Sequence, residues 1–323
     1  MNMCLNVALL VAAAVPTMCF AQAAAEYPSK PVKVLVGYQA GGPTDLTARL
    51  IATKLQTALG QAFVVDNKPG AGSNIASEQA ASSPADGYTL LVAASQMTWN
   101  SALYKNVKYD PVRSFVPISK IMASPAVLVV SPNLPIKTVA DLVSLAKREP
   151  SKISFASSGN GTVPHLSGEL FKSAAGVQMT HVPYKGAGPA LTDLLGGQVD
   201  VSFMTALSAI QYVKDGKLRA LAVVSNERLP QLPNVPTLKE SGISGVDVES
   251  WNGLFAPAGT PPSIVQKLSD AVVKIMKEPD VRKVFVDQAA TPIGNSSSEF
   301  AAEVRAEVQR NNAFIKSANL KID

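Results

Sequence analysis

Val32-Lys33-Val34-Leu35-Val36-Gly37-Tyr38-Gln39-Ala40-Gly41-Gly42-Pro43-Thr44-Asp45 decides how this chain is read. Val32 to Val36 is a short, mostly apolar run. A glycine-bearing loop, Gly37 to Gly42, follows it. Leu46, Leu50, Ile51, Leu55 and Leu59 then recur at helical spacing, and Pro43 suits a first helical turn, so an amphipathic helix is predicted over Pro43 to Leu59. The same succession of strand, loop and helix returns immediately. Phe63 to Asp66 reads as a strand, Lys68 to Ser73 as a loop, Asn74 to Ser82 as a helix and Tyr88 to Ala93 as a strand. Alternation of this kind predicts parallel sheets covered by helices on both faces.

A second series begins at Val127 to Val130. Thr138 and Asp141 open a helix that ends near Glu149-Pro150, and Ile153 to Ala156 is a strand. After the polar loop Ser157 to Gly161 come a helix from Thr162 to Ala175 and a strand from Gln178 to Val182. A helix over Pro189 to Leu195 and the strands Val199 to Phe203 and Ala220 to Val224 complete the series. A Pro-rich loop, Leu229 to Pro236, separates it from the helices Pro262 to Lys277 and Ser298 to Lys316. The expected fold class is α/β, in two lobes.

The amino terminus points to export. Leu5 to Phe20 is mostly apolar, and Ala21-Gln22-Ala23 supplies a small-x-small cleavage pattern, although Met1 to Leu10 carries no Lys or Arg. Residues 1–23 are therefore expected to be a cleaved signal peptide. Pro16-Thr17-Met18 is a poor match to a lipidation sequence before Cys19. Cys4 and Cys19 are the only cysteines, so the mature chain has no disulfide and no thiol catalyst. The remaining length suffices for two ordinary domains, and 47% hydrophobic with 16% charged residues suits a packed globular chain. The net charge of +5 is scattered, without a basic cluster interleaved by aromatics, which argues against nucleic acid and allows weak steering of anions. No second apolar stretch is long enough to cross a membrane, so a transport role requires separate membrane components.

Catalytic signatures are missing. His165 and His181 are the only histidines, and no HExxH, paired-cysteine, Gly-x-Ser-x-Gly or phosphate-loop pattern occurs. Gly37, Gly41 and Gly42 do not have Gly-x-Gly-x-x-Gly spacing, so the dinucleotide-binding reading fails on its key residues. No metal and no cofactor is expected, and the chain reads as a binder rather than an enzyme. His165, in a first helical turn, suits either ligand orientation or capping; His181 reads as structural. What remains are loops that end strands and begin helices, where unpaired N–H groups and the helix dipole hold a carboxylate without a charged side chain. Tyr38 to Asp45 is one such loop and Ser157-Ser158-Gly159-Asn160-Gly161-Thr162 another. Lys68 to Asn74 is a weaker candidate that shapes a turn.

These loops carry a resemblance. Gly41-Gly42-Pro43-Thr44-Asp45 with Ala48-Arg49, and Asn67 to Ala76, are similar to the first two signatures of the Bug-type receptors of tripartite tricarboxylate transporters. Asp86 to Leu91, Ser157 to Thr162 with His165-Leu166, Val182 to Gly186, Leu194 to Val201, Gly216 to Val223 and Phe255 to Pro261 follow in family order. The resemblance spans essentially the whole mature chain. It implies a type II periplasmic binding protein: two α/β lobes joined by two crossing strands, near Ser124 and Glu249, with a ligand cleft between them. Lobe 1 would comprise 24–124 and 250–323, and lobe 2 125–249. It implies a periplasmic monomer without cofactor that closes on a small carboxylate, partly through ordered water, for the membrane components of a transporter.

The ligand contacts it implies are Tyr38, Gln39, Ala40, Gly41, Gly42, Thr44 and Asp45, with Ser95 at a first-lobe strand end. In lobe 2 they are Ser157, Ser158, Gly159, Asn160, Gly161, Thr162, His165, Tyr184, Met204 and Thr205. Two departures bear on the ligand. Tyr38-Gln39-Ala40 replaces the relatives' Phe-x-Pro or Phe-x-Ala, and Met204-Thr205 stands where many relatives carry an Asp-Asn pair suited to an ammonium. An apolar thioether there argues against an amino acid, and favours an aromatic carboxylate or a dicarboxylate. Trp99 and Trp251 suit ring stacking or, more simply, core packing. Two other classes stay open: a sensory subunit presenting its ligand to a membrane kinase, and a secreted hydrolase with an activated nucleophile near His165 or His181.

Overall fold

The computed structural model describes residues 27–246 and 248–317. The expected signal peptide and both cysteines lie outside the described residues. Strands β1 (Val32–Val36), β2 (Phe63–Asn67), β3 (Thr89–Ala94) and β4 (Phe115–Ser124) come first. They are followed by β5 (Ala126–Val130), β6 (Ser154–Ser157), β7 (Thr180–Pro183), β8 (Val201–Thr205) and β9 (Arg219–Val224), then by β10 (Ser250–Pro257) and β11 (Thr291–Pro292). They form one sheet in the order β11-β4-β10-β3-β1-β2 and another in the order β7-β6-β8-β5-β9. Ten helices cover them in the described residues. These are α1 (Pro43–Leu59), α2 (Asn74–Ala81), α3 (Met97–Leu103), α4 (Val139–Arg148) and α5 (Val163–Ala175), then α6 (Ala187–Leu195), α7 (Ala206–Lys214), α8 (Pro262–Ile275), α9 (Pro279–Asp287) and α10 (Ser297–Ser317).

The two-sided burial has a simple sequence cause. Successive strand residues face opposite sides of a sheet, and in β1 Val34 packs with Ile51, Leu55 and Leu268 while Leu35 packs with Leu91, Phe255 and Phe300. In β5, Leu128 and Val130 join one core and Val127 and Val129 another. Runs apolar at nearly every position are what such strands need, Lys33 being the one exposed residue of β1.

The expectation of parallel sheets needs correction, because both sheets are mixed. β1 is parallel to β2 and β3, and β6 is parallel to β7 and β8. β10 is antiparallel to β3 and β4, and β5 to β8 and β9. The cause is connectivity: β4 passes through Pro125 directly into β5 of the other sheet, and β10 returns without a crossover helix. The sheets meet at this passage. Ser124 pairs with Ser250, the next strand residue, Ala126, pairs with Thr205, and the N–H of Ala206 donates to Pro125 O at 2.8 Å. The lobes are not fully separate in packing. Trp99, Leu103 and Ile315, on α3 and α10, join the core cluster of the second sheet with Phe155, Phe171 and Phe203. The sequence reading missed α3, β4, α7, β10, α9 and β11.

Candidate functional site: a cleft of helix starts without charged side chains

A cleft of about 180 Å³ lies where the loops after β1, β3, β6, β7 and β8 converge, at the carboxyl ends of parallel strands. Its described lining contains no Asp, Glu, Lys, Arg or His. Three helices begin on it: α1 at Gly42-Pro43-Thr44, α5 at Thr162-Val163-Pro164 and α6 at Gly186-Ala187-Gly188. None of the three starts has a side-chain cap. Uncapped first turns present N–H donors, and their dipoles add partial positive charge in one small volume.

The first loop is held from behind. Gly41 has φ +82°, a left-handed conformation glycine adopts without strain, and it turns the chain into α1. Its N–H donates to Asp45 Oδ2 at 2.8 Å, Arg49 Nε donates to the same oxygen at 2.9 Å, and Asn67 Nδ2 donates to Asp45 Oδ1 at 2.9 Å. Asn67 Nδ2 also donates to Tyr38 O at 2.9 Å, so one carboxylate and one amide fix both ends of the loop. Burial alone would raise the Asp45 carboxyl, but hydrogen bonds from Arg49, Gly41 and Asn67 bring it below its ordinary value. The expected contact role of Asp45 is corrected accordingly: its side chain is 1% exposed and does not line the cleft. Tyr38, Gln39, Ala40, Gly41, Gly42 and Thr44 do line it.

In the second loop only Ser158 and Thr162 line the cleft. The Thr162 hydroxyl donates to Gly159 O at 2.6 Å, which tightens the loop rather than leaving a donor for a ligand. Ser157 turns away to His181, with Oγ 2.7 Å from Nε2. The Gly161 N–H donates to His165 Nδ1 at 3.1 Å, and the His165 and His181 rings stack at 4.1 Å. Asn160 O accepts from Tyr104 Oη at 3.0 Å, and Tyr184 Oη donates to Asp193 at 2.6 Å. Ser157, Gly159, Asn160, Gly161, His165 and Tyr184 thus build or brace the loop, and none lines the cleft.

The serine-histidine pair is the arrangement a hydrolase reading requires, yet its surroundings oppose that use. Ser157 is buried, and His181 lies between the rings of Phe155 and His165. Burial, then His165 and Lys172, push His181 down to about 3, which makes it a weak base at neutral pH. Ring stacking by tryptophan is likewise unsupported. Neither indole lines the cleft; Trp251 packs on Phe255 and Phe300 while its Nε1 donates to Glu307 at 2.7 Å.

Ser95, Met204 and Thr205 line the cleft, together with residues the sequence reading missed: Gln96, Ser250, Asn252, Ser208 and the start of α6. The helix expected from Pro189 begins two residues earlier, at Ala187, with Gly186 as its N-cap, which brings its start onto the cleft. Asn252 carries no local signal; β10 brings it beside Ala94 and Met122.

Two mixed sheets flanking a cleft of backbone donors point to a solute-binding protein. The chain belongs to the tripartite tricarboxylate transporter receptor family (TctC), whose family model matches residues 47–320, and within it to the Bug-type receptors. It is 34% identical over 298 residues to protein BugT of Bordetella pertussis, covering 92% of this chain and 91% of that protein. Rhodopseudomonas palustris Rpa4515, solved with adipate, superposes with a TM-score of 0.88 at 36% identity, covering 92% of this chain and all 100% of that one. MatC (Rpa3494) from Rhodopseudomonas palustris, solved with bound malate, gives 0.85 at 33% identity, covering 89% and 99%. Receptors of this family are periplasmic solute-binding proteins that serve a transporter.

Proposed function

We propose that this chain, freed of residues 1–23, is a monomeric periplasmic receptor that captures a small, amine-free carboxylate and presents it, lobes closed, to the membrane components of a tripartite transporter. Lobe 1 is taken as 24–124 with 250–323 and lobe 2 as 125–249. The observation that carries the reading is the uncharged cleft onto which α1, α5 and α6 begin without side-chain caps. A carboxylate accepts the N–H groups of these first turns, and no lining side chain supplies an anion to repel it. Similarity to proteins solved with adipate and malate supports the carboxylate class, and aromatic monoacids of similar size suit the apolar Met122, Met204 and Pro189 in the lining. Met204, 3% exposed, offers an ammonium no counter-charge, and burying an unpaired charge is strongly unfavourable. Calorimetry on the mature protein should therefore show succinate binding more tightly than aspartate, and benzoate more tightly than phenylalanine. Tight binding of any α-amino acid would overturn the assignment.

A further inference from the structure

The start of α1 is tied to a strand more than two hundred residues away in the chain. Asn252 lies on β10, paired with Ala94 of β3 and Met122 of β4. Successive strand residues face opposite sides. Ser250 and Asn252 line the cleft, whereas Trp251 between them packs on Phe300 and donates to Glu307, both on α10. From the cleft side, Asn252 Nδ2 donates to Thr44 Oγ1 at 3.1 Å and to Trp251 O at 3.3 Å. A backbone carbonyl oxygen only accepts, so the second bond fixes which way the amide points. Its nitrogen faces Thr44, and the Thr44 oxygen is the acceptor.

That polarity decides what Thr44 can do. A hydroxyl that accepts from an amide keeps its own proton to give. Among the described residues the bond from Asn252 is the only hydrogen bond of the Thr44 hydroxyl. Thr44 is the second residue of α1, where the backbone N–H also lacks an intrahelical partner, and it lines the cleft. The threonine at the start of α5 is in the opposite state: Thr162 gives its proton to Gly159 O at 2.6 Å. Of these two helix starts, only that of α1 holds a threonine proton in reserve, and a donor that is itself accepting a hydrogen bond is strengthened. We propose that Asn252 is a positioning residue for carboxylate capture: by occupying Thr44 Oγ1 as an acceptor it directs the Thr44 proton to the ligand carboxylate, adding a side-chain donor to the backbone donors of α1. This rests on the carboxylate-receptor reading and deepens it. Asn252, 2% exposed, acts through Thr44 and not on the ligand itself.

The test is a double-mutant cycle read by calorimetry on the mature protein, with succinate and benzoate as probes. Asn252→Leu removes the amide and Thr44→Val the hydroxyl, and each should weaken the more tightly bound acid about ten-fold or more, the loss of one hydrogen bond to a charged group. The double variant should bind no more weakly than Thr44→Val alone, because an amide that works through the hydroxyl has nothing left to orient. Thr44→Ser, which keeps the hydroxyl, should keep most of the affinity. Thermal midpoints report folding, and Asn252→Ala runs the same cycle if Asn252→Leu does not fold. A structural role alone would give independent losses, so affinities that fall multiplicatively in the double variant would overturn the inference, as would unchanged affinity in a folded Asn252 variant. In both cases the wild-type protein still binds and the receptor reading stands. Binding of neither acid by the wild-type protein would overturn that reading and the inference together.

Discussion

Asp45→Asn separates a brace from a ligand contact by the sign of its effect. Were Asp45 to face the bound anion, removing its charge would tighten binding. In the structure it faces inward and accepts from Gly41, Arg49 and Asn67. An asparagine keeps one acceptor oxygen. Turned towards Gly41 and Arg49, it sets its own amide N–H against that of Asn67; turned the other way, it loses the Gly41 bond. The Arg49 side chain is 49% exposed, so its ion pair contributes little, of order 0–1 kcal/mol. The buried bonds from Gly41 and Asn67 decide the outcome, because losing one bond to a buried charged group costs about 1.5–3 kcal/mol. A loss of roughly 2 kcal/mol is expected in urea denaturation, with carboxylate affinity about ten-fold weaker or worse as the loop at α1 loosens. Because the folded carboxyl lies below its ordinary value, its contribution is complete above about pH 4 and disappears as pH falls through the lower folded value. The variant should lose that part of the acid dependence. Equal or tighter carboxylate binding by Asp45→Asn, with stability unchanged, would refute the brace.

Tyr104→Phe removes a hydrogen bond that crosses from the first lobe to Asn160 of the second at 3.0 Å, and should speed ligand release about two- to ten-fold in stopped-flow measurements, with fold stability retained. Unchanged release would mean that this bond does not hold the two loops together around the ligand. Gly72→Ala presses on the same contact. Gly72 has φ +60°, and an added Cβ would come within 2.9 Å of Asn160 O and 2.8 Å of Tyr104 Oη, so affinity should fall. His165→Leu leaves the Gly161 N–H without its acceptor and should weaken carboxylate binding about ten-fold, with partial rescue in His165→Asn. Both histidines sit below their ordinary value, by burial first, so the unfolded chain takes up their protons before the folded one does. Stability should fall as pH drops from about 6.5 towards 3, and His181→Phe should flatten that slope in urea midpoints compared at pH 7 and pH 5.

The fold was legible where side-chain periodicity and burial agree. Val32 to Val36, Val127 to Val130 and the leucines of α1 each show one pattern with one explanation. β4 defeated the same reading because Pro117, Ser119 and Lys120 interrupt its apolar run. Ser119 is nevertheless buried, its hydroxyl donating to Asn295 O at 2.7 Å, and Lys120 reaches Glu249 at 3.0 Å. Tertiary partners distant in sequence made polar residues acceptable in a strand, and no local rule contains those partners. The mixed sheets were unreadable for a related reason. Strand direction depends on which sheet receives the chain after Pro125, and periodicity carries no direction.

The site was legible in its loops and misleading in its side chains, and both outcomes have one cause. Asp45, His165, Ser157 and Tyr184 carry the chemistry that draws attention in a sequence, and each is occupied in shaping a loop. The atoms that meet the ligand in the proposed mode are N–H groups at the starts of α1, α5 and α6, which every residue except proline possesses. A site built from them is marked only by what permits it: glycine where the chain must turn and proline in the first helical turn. The neutral amides of Gln96 and Asn252 fall between these extremes. Asn252 comes beside Ala94, two residues before Gln96, only when β3 and β10 pair. Cleft lining that paired strands contribute in this way comes from residues far apart in the chain, and no local pattern marks it.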